Sequence, residues 1–259
     1  MSQWFVLLQK EILEMWRNLK WVWVPITFIL LGVKDPISSY YMPQIIKAMG
    51  GLPKGAVFKL PPPTAVEIFV KGMGQFNTIG VLIMVLTTMG VIAAERKSGV
   101  AAMILVKPVS YTAFITSKWA GSLLLMLFSF FMGSIATWYY TGILFKWIPM
   151  ADFFGSFLLY AVWFVVAISI TVFFSSVLLA PGAAGFISLA VVGLIGILSS
   201  LLSKWMERSP AQLADYANQL LAGQSLPDQT WISLFISFVL IIVLLIGSIF
   251  IFGKKELAS

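Results

Sequence analysis

Few side chains in this sequence could do chemistry, and the missing types decide as much as those present. The chain has no His and no Cys. That removes Ser-His-Asp hydrolases, HExxH metalloproteases, thiolate nucleophiles and zinc–sulfur sites. No G-x-x-x-x-G-K-[ST] phosphate loop occurs. Gly72-Met73-Gly74 is a partial glycine match with no strand before it, and reads as helix packing. No paired carboxylates fall within the apolar runs, so neither acid–base catalysis nor a Mg2+ site is indicated. No catalytic, cofactor or metal residues are expected in this chain.

Two groups of charged residues remain. Lys34-Asp35 is the first. Charge inside a membrane is costly and faces a cavity or a partner. The pair lies either within a first span or, if that helix ends at Val33, among the headgroups. The second group runs from Glu95 to Lys118. Glu95, Arg96 and Lys97 interrupt an apolar run. A short apolar helix follows, opened by Gly99, carrying Met103, Ile104 and Leu105, and ended by Lys107-Pro108. A new start then leads to Lys118. Such a helix is too short to span a bilayer and too apolar to stand in water. It reads as a surface helix presenting a face to a partner, or as an ordinary interfacial loop.

The elements that must position these residues are membrane helices. Of the 259 residues, 60% are hydrophobic and 10% charged, against about 25% charged in a typical soluble domain. The mean hydropathy is +0.97. A soluble chain of this size has too few interior positions to hide so much apolar surface. Disordered, nucleic-acid-binding and coiled-coil classes are excluded. The net charge of +7 reads as loop lysines beside a membrane. The first 20 residues contain Glu11 and Glu14 and lack the apolar core of a cleavable signal.

A span needs about 20 apolar residues. Gly72–Ala94, Trp119–Phe145 and Trp231–Phe252 are uncharged runs of that order. Phe153–Ser203 has 51 residues without a charge and must fold back once. The turn is expected near Ser175–Gly182, where Ser175, Ser176, Pro181 and Gly182 cluster. Trp21–Val33 is too short alone, so continuation through Lys34, Asp35 and Pro36 is expected. The reading is an all-α polytopic protein forming a single transmembrane domain over 1–259. Its six spans fall at about 21–44, 72–94, 119–143, 153–174, 183–203 and 231–252. Residues 1–20 read as an interfacial helix with Trp4, Leu8, Ile12, Met15, Trp16 and Leu19 on one broad face. Thr64-x-x-Glu67 is a capping box that should start a helix near Ala65. Ser209-Pro210 reads as the start of a short amphipathic helix on the outer surface, stopped by Gly223. Six spans put both termini on one side. Placing them in the cytoplasm gives nine basic residues inside and eight outside or near it, and the short inner loops weigh most in that comparison.

The stretch 95–118 resembles the ABC-2 type permease subunits of ATP-binding-cassette exporters. That pattern is roughly Glu-[Arg/Lys]-x-x-Gly-Thr, an apolar helix, then Leu-x-[Lys/Arg]-Pro-[Val/Ile]-Ser-Arg and a later Lys. Glu95, Arg96, Gly99, Leu105, Lys107, Pro108, Val109, Ser110 and Lys118 match it. Val100 stands where Thr is usual and Tyr111 where Arg is usual. The likeness extends to Lys10-Glu11, to Pro36 and Pro43 after the first span, to the six spans and to Lys254-Lys255, covering essentially the whole chain.

This resemblance implies a bacterial plasma-membrane permease with no ATPase of its own. ATP and Mg would be bound by separate ATP-binding-cassette subunits. Two permease copies, identical or close paralogues, would form the path, surrounded by membrane lipid and with no nucleic acid involved. The helix at 98–107 would couple to the ATPase, flanked by Glu95, Arg96 and Lys107, with Met103, Ile104 and Leu105 supplying apolar contact and Pro108 setting its angle. The N-terminal helix would lie beside it. A channel or secondary carrier, and a non-transporting membrane sensor or anchor, are the other classes these residues admit.

Overall fold

The computed structural model describes residues 3–48, 63–105, 109–202 and 204–256. Every regular element among them is helical. Six helical segments are long and apolar enough to cross a membrane: Lys20–Ile45, Ala65–Lys97, Tyr111–Leu144, Met150–Val177, Pro181–Leu201 and Gln229–Lys254.

Helix α1 (Gln3–Arg17) precedes the spans, and Leu19, at φ 55, turns the chain into α2 (Lys20–Ala48). α2 passes through Lys34, Asp35 and Pro36 without stopping, so the first span continues rather than ending at Val33. The charge is tolerated because Asp35 is 2% exposed and faces Lys71 Nζ at 3.5 Å. A buried carboxylate with a cationic partner is far less costly than one alone. Lys34-Asp35 is therefore not a mutual pair. Lys34 is exposed, and the partner of Asp35 comes from the second span.

The second span is segmented. Its first piece, α3 (Ala65–Gln75), starts at the capping box: Thr64 Oγ1 accepts from Glu67 N, and Glu67 Oε2 accepts from Thr64 N. A π-helical turn, Phe76–Gly80, leads into α4 (Val81–Thr88). The helix breaks over 89–92 and resumes as α5 (Ala93–Lys97). After α6 (Val100–Leu105), α7 (Tyr111–Leu144) begins eight residues before the uncharged run starting at Trp119. Ser110 caps it, accepting from Ala113 N. Lys118 thus sits inside α7 and not at its mouth. The run of uncharged residues marked the wrong boundary because this charge has partners within the fold.

α8 (Met150–Val177) and α9 (Pro181–Leu201) are separated by the turn expected around Ser175–Gly182, with Pro181 in the first turn of α9. α10 (Gln212–Leu221) starts later than Ser209-Pro210 implied, because Ser199 Oγ donates to Ser209 Oγ at 2.8 Å and ties that residue to α9. Gly223, at φ 74, closes the helix as expected. α10 does not lie free on a surface. Leu213, Ala214, Tyr216, Ala217 and Leu221 are buried, and the Tyr160 hydroxyl on α8 donates to Asn218 Oδ1. α11 (Gln229–Glu256) is the last of the described helices.

α7 and α8 hold the centre. Phe130 stacks on Phe157 and meets Phe76 and Phe164 edge-on, and Phe76 stacks on Phe28 of α2. α11 shows the opposite character. Trp231, Phe235, Phe238, Ile242, Ile246 and Phe250 form an exposed row at helical spacing, the surface a lipid-facing helix presents. α1, α5, α6, the α8–α9 turn and the end of α11 gather at one end of the bundle, hereafter the N-terminal end.

Candidate functional site: a buried ion cluster beside the surface helix

At the N-terminal end three elements bring charges together. α1 supplies Lys10 and Glu11, α5 supplies Glu95 and α7 supplies Lys118. Lys118 Nζ lies 2.8 Å from Glu11 Oε1 and 2.9 Å from Glu95 Oε2. Lys10 Nζ lies 2.5 Å from Glu95 Oε1, 3.4 Å from Glu11 Oε1 and 3.8 Å from Glu14 Oε2. Lys118 is fully buried, and its ammonium also stands 5.1 Å from the Phe114 ring centroid, close enough for a cation–π contribution. Burial works against the Lys10 charge. The hydrogen bond to Glu95 and the charges of Glu11, Glu95 and Glu14 outweigh it, and the Lys10 pKa lies above its usual 10.5.

Sequence and packing explain why these groups meet. The inward face of α1 is Leu8, Glu11 and Met15, spaced as one helical stripe, while Trp16 and Leu19 are turned outward. The broad face expected from Trp4 to Leu19 is therefore narrower and carries an acid at its middle. Gly121 lies one turn beyond Lys118 on α7. A Cβ there would stand 3.2 Å from Glu11 Cβ and 3.3 Å from Met15 Cε. The missing side chain lets α1 approach closely enough for Glu11 to reach Lys118. Trp4 Nε1 donates to Thr116 Oγ1 and fixes the far end of α1 on the same helix.

Glu11, Glu14 and Glu95 place carboxylate oxygens within 4.8 Å of one another. Two ammonium groups already stand among those oxygens, so this donor set works as an ion-pair network. It borders a cavity of about 210 Å³ also lined by Thr87, Ser122 and Lys20, whose ammonium donates to Thr87 O.

The residues expected to flank the surface helix divide into two groups. Glu95 and Arg96 turn into the bundle. Arg96 Nη1 donates to Ser176 O, and its guanidinium lies 5.6 Å from the Phe252 ring centroid. Gly99, at φ 77, bends the chain from α5 into α6 and takes a conformation that suits glycine. Within α6, Ala101 is buried and Met103 is 76% exposed. Ile104 and Leu105 belong to the helix, but their side chains lie outside the described residues, as do Lys107 and Pro108. Lys34 and Asp35 lie apart from this cluster, on α2 beside α3.

Sequence reasoning missed the joining of Glu11, Glu95 and Lys118. The available signal was a lone lysine at the start of a long uncharged run, followed by glycine at i+3, together with an acid on the apolar side of α1.

Residues 60–254 match the sequence family described as ABC-2 family transporter protein. The chain belongs to that family. This ABC-2 family protein is also 32% identical over 253 residues to the uncharacterized transmembrane protein YxlG of Bacillus subtilis (strain 168), which covers 96% of this chain and 97% of that one. Family membership and the six apolar helices together make it a multi-pass membrane protein. The match begins at residue 60, so it includes α5, α6 and Lys118 but not α1.

Proposed function

We propose that this chain is the membrane-spanning permease subunit of an ATP-driven exporter. It works as a pair, forms the substrate path between the two copies, and is driven by separate ATP-binding-cassette subunits that hold ATP and Mg2+. Both termini then lie in the cytoplasm, and α6 is the coupling helix seated in the ATPase.

One observation carries the reading within the ABC-2 family. The exposed Met103 helix is joined to α5 by only two residues, Ser98 and Gly99, and Glu95 on α5 is locked to both α1 and α7. A force on α6 reaches a pre-existing network of three elements instead of being lost in a loose loop. Ion pairs buried in this way favour one arrangement over others, as a two-state transmission requires. Polar groups also stand in the π-helical turn of the second span, where Asn77 accepts from Trp163 Nε1 of α8 and Thr78 donates to Gly74 O, both remaining exposed on one side. Polar side chains at membrane depth face protein or a water-filled route. Gly193 and Gly196 on α9 meet nothing within 4 Å where a Cβ would stand, leaving room for close approach of a second copy.

The test is reconstitution. The purified chain alone should hydrolyse no ATP. It should co-purify with an ATP-binding-cassette ATPase and alter that enzyme's hydrolysis rate when both are in one membrane. Failure to bind any such ATPase from the same cell would overturn the reading.

A further inference from the structure

The break in the second span is held open by one hydroxyl from the fourth. In an unbroken helix Ile92 N would donate to Thr88 O, and Ala93 N to Met89 O. Here Ser175 Oγ of α8 takes both donors, at 3.1 Å each, and itself donates to Met89 O at 2.8 Å. Thr88 O is taken instead by Val91 N, at 3.0 Å. Ser175 is fully buried, so water is not at hand to replace it. A side chain inserted into the i→i−4 ladder is a recognised cause of a sharp bend, and here it exchanges two intrahelical bonds for three.

We propose that Ser175 is a positioning residue that holds α4–α5 in the broken one of two available states. The other state is a continuous helix in which the Ile92–Thr88 and Ala93–Met89 bonds close. Both states satisfy the same backbone groups, and they differ in the three bonds of the buried Ser175 hydroxyl, which only the broken state makes. In the broken state α5 is fixed on two sides: Glu95 joins Lys10 and Lys118, and Arg96 reaches the Ser176 carbonyl next to Ser175. Displacement of α5 is then passed sideways to the end of α8 and not along α4. This last consequence rests on the coupling reading above, whereas the two-state helix does not.

The experiment uses the full chain in lipid nanodiscs with spin labels on cysteines at exposed positions 79 and 97, read by electron–electron double resonance. A continuous helix separates these positions by about 27 Å along its axis. The native protein should give one shorter distribution. Ser175→Ala should add a component at the continuous-helix distance, and Ser175→Thr, which keeps the hydroxyl, should restore the native distribution. Ser188→Ala, removing a buried hydroxyl that bonds only its own helix at Ala184 O, should change nothing. Ser175→Ala matching the native distribution, or broadening without the longer component, would overturn the proposal. Because no ATPase is present, this outcome is independent of whether the chain couples to one.

Discussion

Lys118 and Glu11 stand 107 positions apart in the sequence, yet Nζ of one lies 2.8 Å from Oε1 of the other, with both side chains closed off from solvent. This contact fastens the N-terminal helix to the third span and places Glu95 between two ammonium groups. It makes α1 part of the bundle.

Removing one member of this buried pair leaves the other with fewer partners: Lys118 keeps Glu95, and Glu11 keeps Lys10. Glu11→Gln or Lys118→Met should each cost about 1–3 kcal/mol of stability. The two together should cost less than the sum, with a coupling of about 0.5–3 kcal/mol. Thermal unfolding of the four proteins of the cycle in detergent checks this.

Gly121 is the steric condition for the same contact. Gly121→Val should force α1 off α7 at a cost of about 1–3 kcal/mol, as overpacked sites do. Spin labels on cysteines at positions 4 and 116, which the Trp4–Thr116 contact holds near each other in the native background, should move apart, read as a loss of dipolar line broadening. The native chain has no Cys to interfere.

Asp35 depends on Lys71 and not on its neighbour. Lys71→Met leaves a buried carboxylate unpaired and should lower stability by about 1–3 kcal/mol. Lys34→Met should leave it nearly unchanged. Equal effects from the two substitutions would return the partnership to Lys34.

Six spans place the N-terminal end of the bundle on one side of the membrane. Single cysteines at positions 103 and 254 should react with a membrane-impermeant reagent from the cytoplasmic side only, and one at position 228 only from outside. Labelling of 103 and 228 from the same side would contradict the arrangement.

The helical architecture was legible because membrane spans are written in uncharged runs. The number of spans, the capping box at Thr64 and the turn before Pro181 followed from local rules, while packing around Lys118 moved the start of the third helix from Trp119 back to Tyr111. The site was less legible because burial of charge is a tertiary property. Lys118 looked like a helix boundary, since a lone lysine belongs in water, and only Glu11 and Glu95 arriving from distant segments reverse that. The π-helical turn at Phe76–Gly80 and the break at 89–92 left no local mark. The break depends on Ser175, 83 residues beyond Ile92. Lys34-Asp35 was correctly seen as unusual, but neighbours in sequence on a helix point in different directions, and the partner came from α3.

The most direct measurement of the central claim places a charge on the exposed face of α6. Met103→Asp replaces a side chain that is 76% exposed, so the spans and the ion cluster should remain folded. The variant should lose co-purification with the ATPase and the permease-dependent change in ATP hydrolysis, while its thermal stability stays that of the native protein. A folded, inserted Met103→Asp permease that still binds the ATPase and still alters its hydrolysis to the native extent would contradict the assignment of α6 as the coupling helix.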